Sequence, residues 1–210
     1  MPINSTKGEP LVESSPDAIG EVLSANITSV TAQIWTGKTI PSFGSFLTCK
    51  TEQSNNIFMV VYNVSQGPSD DNHYPRAFGL TREELAREQP QIFSLLATTI
   101  EAQIVGHATD DGRYYHSLPP LPPQIHDFIS PAPSEELNAF CSKLTFLRLL
   151  TQITKVPQDE LLSACIGKLY LHKRQNYDFL LEAGKELGHL FSHDYDRLIA
   201  ILRKLRPEQL

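Results

Sequence analysis

Cysteine is scarce in this chain and unpatterned. Cys49, Cys141 and Cys165 are odd in number, far apart and form no CxxC. A disulfide framework is not expected, and a reducing compartment is. Long apolar runs are missing as well, since no stretch approaches the roughly 20 residues of a membrane-spanning helix. The opening residues, MPINSTKGEP, contain no apolar segment of the secretory-signal kind. A soluble, cytoplasmic protein without membrane contact is the expectation. Positive charge is also thin. The net charge of 210 residues is -6, and residues 1–130 hold 7 Lys and Arg against 14 Asp and Glu, while residues 131–210 hold 11 against 10. Neutralising phosphates requires concentrated Lys and Arg, so direct nucleic-acid binding is not expected of either half.

Motifs of catalysis are equally sparse. Gly37-Lys38-Thr39 imitates the end of a phosphate loop, but that loop needs G-x-x-x-x-G-K-[ST] at the start of a helix. Here Ala32 stands where the first glycine belongs, and Ile40-Pro41 follows where the helix would begin. A hairpin turn is the expected reading. No G-x-S-x-G occurs, and no paired carboxylates stand at a recognisable spacing. His189 and His193 are four apart, which on one helix would share a face, yet Gly188 and Ser192 point to a helix break between them. His116 and His126 have no sequence spacing that unites them. The three cysteines sit in apolar or strand-like positions and read as core thiols. Asn26-Ile27-Thr28 and Asn63-Val64-Ser65 match the glycosylation sequon only by chance in a chain without a signal. No catalytic, cofactor-binding or metal-ligating residue is assigned, and no cofactor is expected.

What the chain does contain is a strong strand. Ile57 to Val64 carries a single polar residue, Asn63, with Ile57, Val60, Val61 and Val64 β-branched and Phe58 and Tyr62 aromatic. Both alternating sets are apolar, so both faces are expected to be covered. Loop chemistry follows at 65–72. Before it, 18–24 and 30–35 read as strands joined at Asn26, and 45–50 as a third. After it, Thr81 and Glu84 form a capping-box pattern for a short helix ending near Pro90, and 91–96 adds a further turn. A fifth strand is expected over 98–107, and 113–116 is expected to pair back as a sixth across Asp110-Asp111-Gly112.

The run LPPLPPQIH then places prolines at 119, 120, 122 and 123, which imposes an extended path. It reads as a connector over 118–133, with a PxxP ligand as the alternative. Beyond Pro133 the apolar period becomes helical. Leu137, Phe140, Cys141, Leu144 and Leu147 are expected on one helix capped by Ser134, followed by helices opening at Pro157, near Tyr177 and at Ser192. The expected organisation is a loose arm over 1–17, a small closed, mainly antiparallel β-barrel over 18–117 with a helical insertion near 81–96, the connector, and an α-helical unit over 134–210. The class is α+β.

Five segments in order, AIGEVLSANITSVTAQIW (18–35), PSFGSFLTCK (41–50), IFMVVYNVS (57–65), the stretch from PRAFGLTREEL to QIFSLL (75–96) and the stretch from EAQIVGH to PPQIHDF (101–128), resemble the HAS barrel. That is the HerA–ATP-synthase barrel, found before the motor domain of HerA-type ATPases and similar to the small barrel of ATP-synthase α and β subunits. In that family a RecA-type motor follows, whereas this chain continues into about 80 residues of helical pattern without a phosphate loop. The resemblance therefore implies packing around a ring and docking of partners, not hydrolysis. The expectation is a non-enzymatic assembly or adaptor protein, with a protein partner such as a HerA-like DNA-translocating ATPase, or with further copies of itself. One alternative is a metal-dependent enzyme or nuclease accessory whose site is gathered from Asp70, Asp71, His73, His107 and Asp110. Another is single-stranded nucleic-acid binding by the barrel, against which its -7 charge argues.

Overall fold

Asn26 reverses the chain. Its Oδ1 accepts from the amides of Thr28 (2.8 Å) and Ser29 (3.0 Å) and from the Thr28 hydroxyl, a side-chain turn that sets β1 (Gly20–Ala25) against β2 (Ser29–Ile34) as an antiparallel hairpin. The structure is a computed structural model describing residues 16–51, 56–69 and 76–205. Most of the expected arm, loop residues 70–72, His73 and Arg206 lie outside the described residues.

Strands β3 (Phe46–Cys49), β4 (Asn56–Pro68), β5 (Leu96–Ala108), β6 (Tyr114–Tyr115) and β7 (Phe128–Pro131) complete the sheet. Its order is β2-β1-β7-β3-β4-β5-β6, and β2 also pairs with β5. The ring β2-β1-β7-β3-β4-β5 is therefore a closed, six-stranded antiparallel barrel. Closure removes open edges. The barrel over this region was expected, but its sixth strand is a different one. Residues 114–115 only extend the end of β5, pairing with His107 and Ala108. The closing strand is β7, which lies inside the stretch read as a proline connector and pairs with both β1 and β3. Pro131 stands at its last residue, where a missing N–H is tolerated. Residues 65–68, expected as loop, continue β4 and pair with β5 as far as Leu96.

Every side chain from Ile57 to Tyr62 is buried. Ile57, Met59 and Val61 fill the barrel with Val22, Val30, Ala32, Ile100, Ile104 and Ile129, so the interior is packed, as in other small barrels. Phe58, Val60 and Tyr62 point outward into a second core shared with the helices. Two bulges support this division. The register shifts between Phe58 and Met59 opposite β5, where Val105 is the extra residue, and between Val61 and Asn63, where Tyr62 is extra. Both extra residues join the outer core.

The helical insertion comprises α1 (Arg82–Glu88) and α2 (Gln91–Ser94). Thr81 and Glu84 form the expected reciprocal capping box. After β7 come α3 (Ser134–Phe140), α4 (Leu147–Leu150), α5 (Gln158–His172), α6 (Tyr177–Leu190) and α7 (Tyr195–Lys204). The single helix expected from Ser134 to Leu147 is two short helices with a break at 141–146, although Leu144 and Leu147 are buried as anticipated. The last helix is capped by Asp194, which accepts from the Arg197 amide, rather than by Ser192. α5 is the central helix. It buries Leu161, Leu162, Cys165, Ile166, Leu169 and Tyr170, and such all-round burial marks a helix enclosed by its neighbours.

The barrel and the helices meet along an aromatic seam. Phe140 stacks on Phe58 with centroids 4.2 Å apart and planes 7° off parallel, and Phe46 meets Phe146 edge-on at 5.7 Å. Gly106 makes this approach possible, because a Cβ there would lie 2.6 Å from the Phe140 ring and 2.3 Å from the Tyr115 carbonyl oxygen. Asn56 Nδ2 donates to Glu136 Oε2 at 2.5 Å, tying the start of β4 to α3. Glu101 accepts from the Tyr62 hydroxyl (2.9 Å) and Asn63 Nδ2 (3.0 Å) and pairs with Lys155, which fastens the α4–α5 loop to the barrel. Those donors, Lys155 foremost, hold the Glu101 carboxyl down to about 2.

Candidate functional site

The helices pack on the outer wall formed by β3, β4 and the second half of β5, and among the described residues no helix shares a buried cluster with the outer face of β2, β1 and β7, an open wall. Strand alternation decides what that open wall presents. Val22, Ile34 and Ile129 face the interior, so Glu21, Trp35 and Phe128 face outward. Trp35 and Phe128 meet edge-to-face, centroids 5.5 Å apart at 71°, a geometry favoured by the ring quadrupoles. Trp35 Nε1 donates to Glu21 Oε1 at 3.1 Å, and His126 Nδ1 donates to Glu21 Oε2 at 3.0 Å. These two donors, Trp35 first, lower the Glu21 carboxyl below its ordinary value. The Glu21–His126 pair is exposed, so it orients these groups more than it stabilises the fold.

The residues that follow the proline run lie along this wall. His126 N bonds to the Val22 carbonyl and Val22 N to the Asp127 carbonyl, both at 2.9 Å. Ile125 is thereby set at the position next to Leu23, the bulged residue of β1. Leu23 is 40 % exposed, Leu121 53 % and Ile125 61 %. Leu23 on β1 and Ile125 in the segment bonded to it add exposed apolar area on the strand whose Glu21 carries the Trp35–Phe128 pair, a mix of aromatic and apolar surface seen in docking surfaces. His126 itself adopts φ +73°, a left-handed conformation that costs a non-glycine residue free energy and is found preferentially at functional sites. The arrangement offers shape and a mixed apolar and carboxylate surface.

The residues singled out in the sequence are dispersed. His107 is buried on β5, its Nδ1 3.2 Å from the Ser117 carbonyl oxygen and its ring stacked on Tyr115. Asp110 is exposed in the turn that follows. Asp70, Asp71 and His73 lie outside the described residues. Among the described residues no group of three or more His, Cys, Asp or Glu is placed to hold a metal ion. His116 and His126 are not brought together: His116 bonds to Thr145 and Phe140, His126 to Glu21. His189 is exposed near the end of α6 and His193 follows in the break before α7. Lys38 lies in a turn closed by its own amide on the Trp35 carbonyl, with Gly37 at φ +83°. That turn leads from β2 to β3, whose partners are β7 and β4, so it is not the hairpin turn expected. All three cysteines are buried, and burial pushes the Cys141 thiol up to about 12 and those of Cys49 and Cys165 well above their ordinary value.

Trp35 and Phe128 were not singled out, although each carried a signal. Trp35 ends the outward set Thr31, Gln33, Trp35, and Phe128 ends the proline run. No protein-family model and no curated protein matches the chain.

Proposed function

We propose that this protein is a non-enzymatic adaptor whose barrel docks another protein through the open β2–β1–β7 wall. The observation that carries the reading is the Trp35–Phe128 pair set on Glu21, with exposed Leu23 further along the same strand and exposed Ile125 in the segment bonded to it. Aromatic anchors with an apolar surround are the side chains that concentrate binding free energy at interfaces. Among the described residues the chain's own helices pack on the opposite wall and not on this one, which supports a partner here. Resemblance of 18–128 to the HAS barrel supplies the partner class, a HerA-like DNA-translocating ATPase ring, and the absence of a phosphate loop from the sequence supports a role beside the motor.

The test is size-exclusion chromatography with light scattering on the full chain, alone and mixed with a HerA-like ATPase. Co-elution that is lost in Leu23→Glu/Ile125→Glu, with the melting temperature unchanged, is the expected outcome. A chain that never co-elutes, or a complex indifferent to both substitutions, would remove the basis for the proposal.

A further inference from the structure

Closure removes edges only within the ring, and β4 runs past it. β3 pairs with β4 from Ile57 to Val60, and the last bonds between them run from Gly44 N to the Val61 carbonyl (2.8 Å) and from Val61 N to the Ser45 carbonyl (3.0 Å). There the chain before β3 leaves the strand, with Gly44 at φ +79° and a turn closed by Ser45 N on the Ser42 carbonyl. β4 continues to Pro68, paired on its other side with β5 as far as Leu96. Antiparallel pairing sends backbone groups alternately to the two sides of a strand. Ser69 N bonds to the Leu95 carbonyl, and Ile104 N, on the far side of β5, to the Thr28 carbonyl. Both set the same phase: Asn63, Ser65 and Gly67 face β5, while Val64, Gln66 and Pro68 face outward. Among the described residues, no hydrogen bond reaches the outward N–H and C=O groups of Val64 and Gln66. Natural edges are blunted by charge or proline. Here Pro68 blunts the far end, but Asn63 to Gly67 carries no charged residue. A cleft of about 550 Å³ runs beside this edge, with Ile40 and Phe43 from the loop before β3, Val64 on β4 and Val156 from the α4–α5 loop among its walls.

We propose that this cleft binds an extended segment of a partner protein, which adds to β4 as a strand along the line that β3 leaves vacant. The backbone groups select the occupant. Val64 and Gln66 each offer one donor and one acceptor on the same side, two residues apart, and an extended main chain complements that pattern. A helix cannot, because its own backbone groups are bonded internally. The apolar walls call for an apolar side chain at the alternate position that enters the cleft. A second copy of this barrel would have to bring its own residues 40–43 into the space beside those of the first, whereas a single strand brings nothing further. The edge belongs to β4, apart from the β2–β1–β7 wall, and the proposal does not rest on the adaptor reading.

The probe is the peptide acetyl-Lys-Val-Thr-Val-Thr-Val-Lys-amide, added to the full chain and followed by calorimetry and amide hydrogen exchange. Without peptide, the Val64 and Gln66 amides should exchange rapidly while those of Asn63 and Ser65 are protected. Saturable one-site binding is expected, with Val64 and Gln66 becoming protected. The same peptide N-methylated throughout its Val and Thr residues has no edge donor left and should bind more weakly by about tenfold or more. Gln66→Pro removes an outward donor and spares the β5 ladder, so it should weaken the peptide about tenfold with the melting temperature unchanged. Absence of saturable binding overturns the proposal, as does equal affinity for the N-methylated peptide, which decides the matter if Gln66→Pro does not fold. Binding that leaves exchange at Val64 and Gln66 unaltered, or protection of both amides before peptide is added, overturns it too. A dimer in light scattering that Gln66→Pro dissolves would assign the edge to a second copy and overturn it likewise.

Discussion

At His116 the hydrogen bonds fix the tautomer. The Phe140 carbonyl, 2.9 Å from Nε2, can only accept, so Nε2 carries the proton and Nδ1 accepts from the Thr145 hydroxyl at 2.6 Å. The ring also packs edge-on to Phe140 and Phe146. Burial lowers the His116 pKa, with Lys143 adding to the fall, while the Phe140 hydrogen bond and Glu186 oppose it. The unfolded chain thus binds this proton more readily than the folded one. Its contribution to stability is complete above the ordinary histidine value of about 6.5 and declines as pH falls through the lower folded value. Thermal melts between pH 7.5 and 5 should show stability falling toward acid in the parent, and less so in His116→Gln. Parallel pH profiles for the two proteins would mean that the seam is not proton-sensitive at this residue. Glu101 is separable, because its depressed carboxyl withdraws stability only below about pH 4.5, toward 2.

Among the elements, β7 joins β1 to β3 with four residues, and Ile129 at its centre is fully buried in the barrel. Ile129→Ala should cost about 2–4 kcal/mol, the range for deleting a buried branched side chain where the site cannot collapse. Urea unfolding followed by tryptophan fluorescence measures it through Trp35. A loss below about 0.5 kcal/mol, the level of an ordinary surface substitution, would contradict the role of β7 in closing the ring. This strand was not legible in the sequence. Four residues that follow a proline run and end in Pro131 have too little pattern to read, and β7 is a strand because β1 and β3 both pair with it. β4 was legible because its composition alone demands burial on both faces. The stripes of α5 and α6 were legible for a related reason, since burial repeats every turn. The open wall was the hardest to foresee: Trp35, Glu21, His126 and Phe128 come from distant segments and meet only through strand pairing and the path of the proline run.

For the whole molecule, the described residues of the helical half share one core with the barrel. Phe46, Phe58, Val60 and Tyr62 of the barrel belong to the same buried cluster as Phe140, Phe146, Leu161 and Ile166 of the helices. Cutting at the proline run would uncover both sides of that cluster, and exposed patches of this kind cause association. Fragments 1–130 and 131–210, expressed separately, should each give collapsed, broadened amide spectra and aggregate, while mixing or co-expression should restore dispersion. Two well-dispersed spectra from the separate pieces would show that the seam is an interface between autonomous domains and not a shared core.

The double burial of β4 carries a consequence for how the chain finds its alignment. In a strand with one wet face, slipping by one residue exposes apolar side chains to water, and that penalty fixes the pairing. Here a slip would exchange Phe58, Val60 and Tyr62 for Ile57, Met59 and Val61, leaving an apolar set on each side, so water does not discriminate between the two alignments. Discrimination passes to shape. Gly106, opposite Phe58, is the place on β5 where the Phe140 ring can lie against the wall, and the extra residues at Val105 and Tyr62 hold that pairing in phase. A vacancy the size of one methyl group thus serves as the key that selects a single alignment from two that hydrophobicity alone would leave nearly equal.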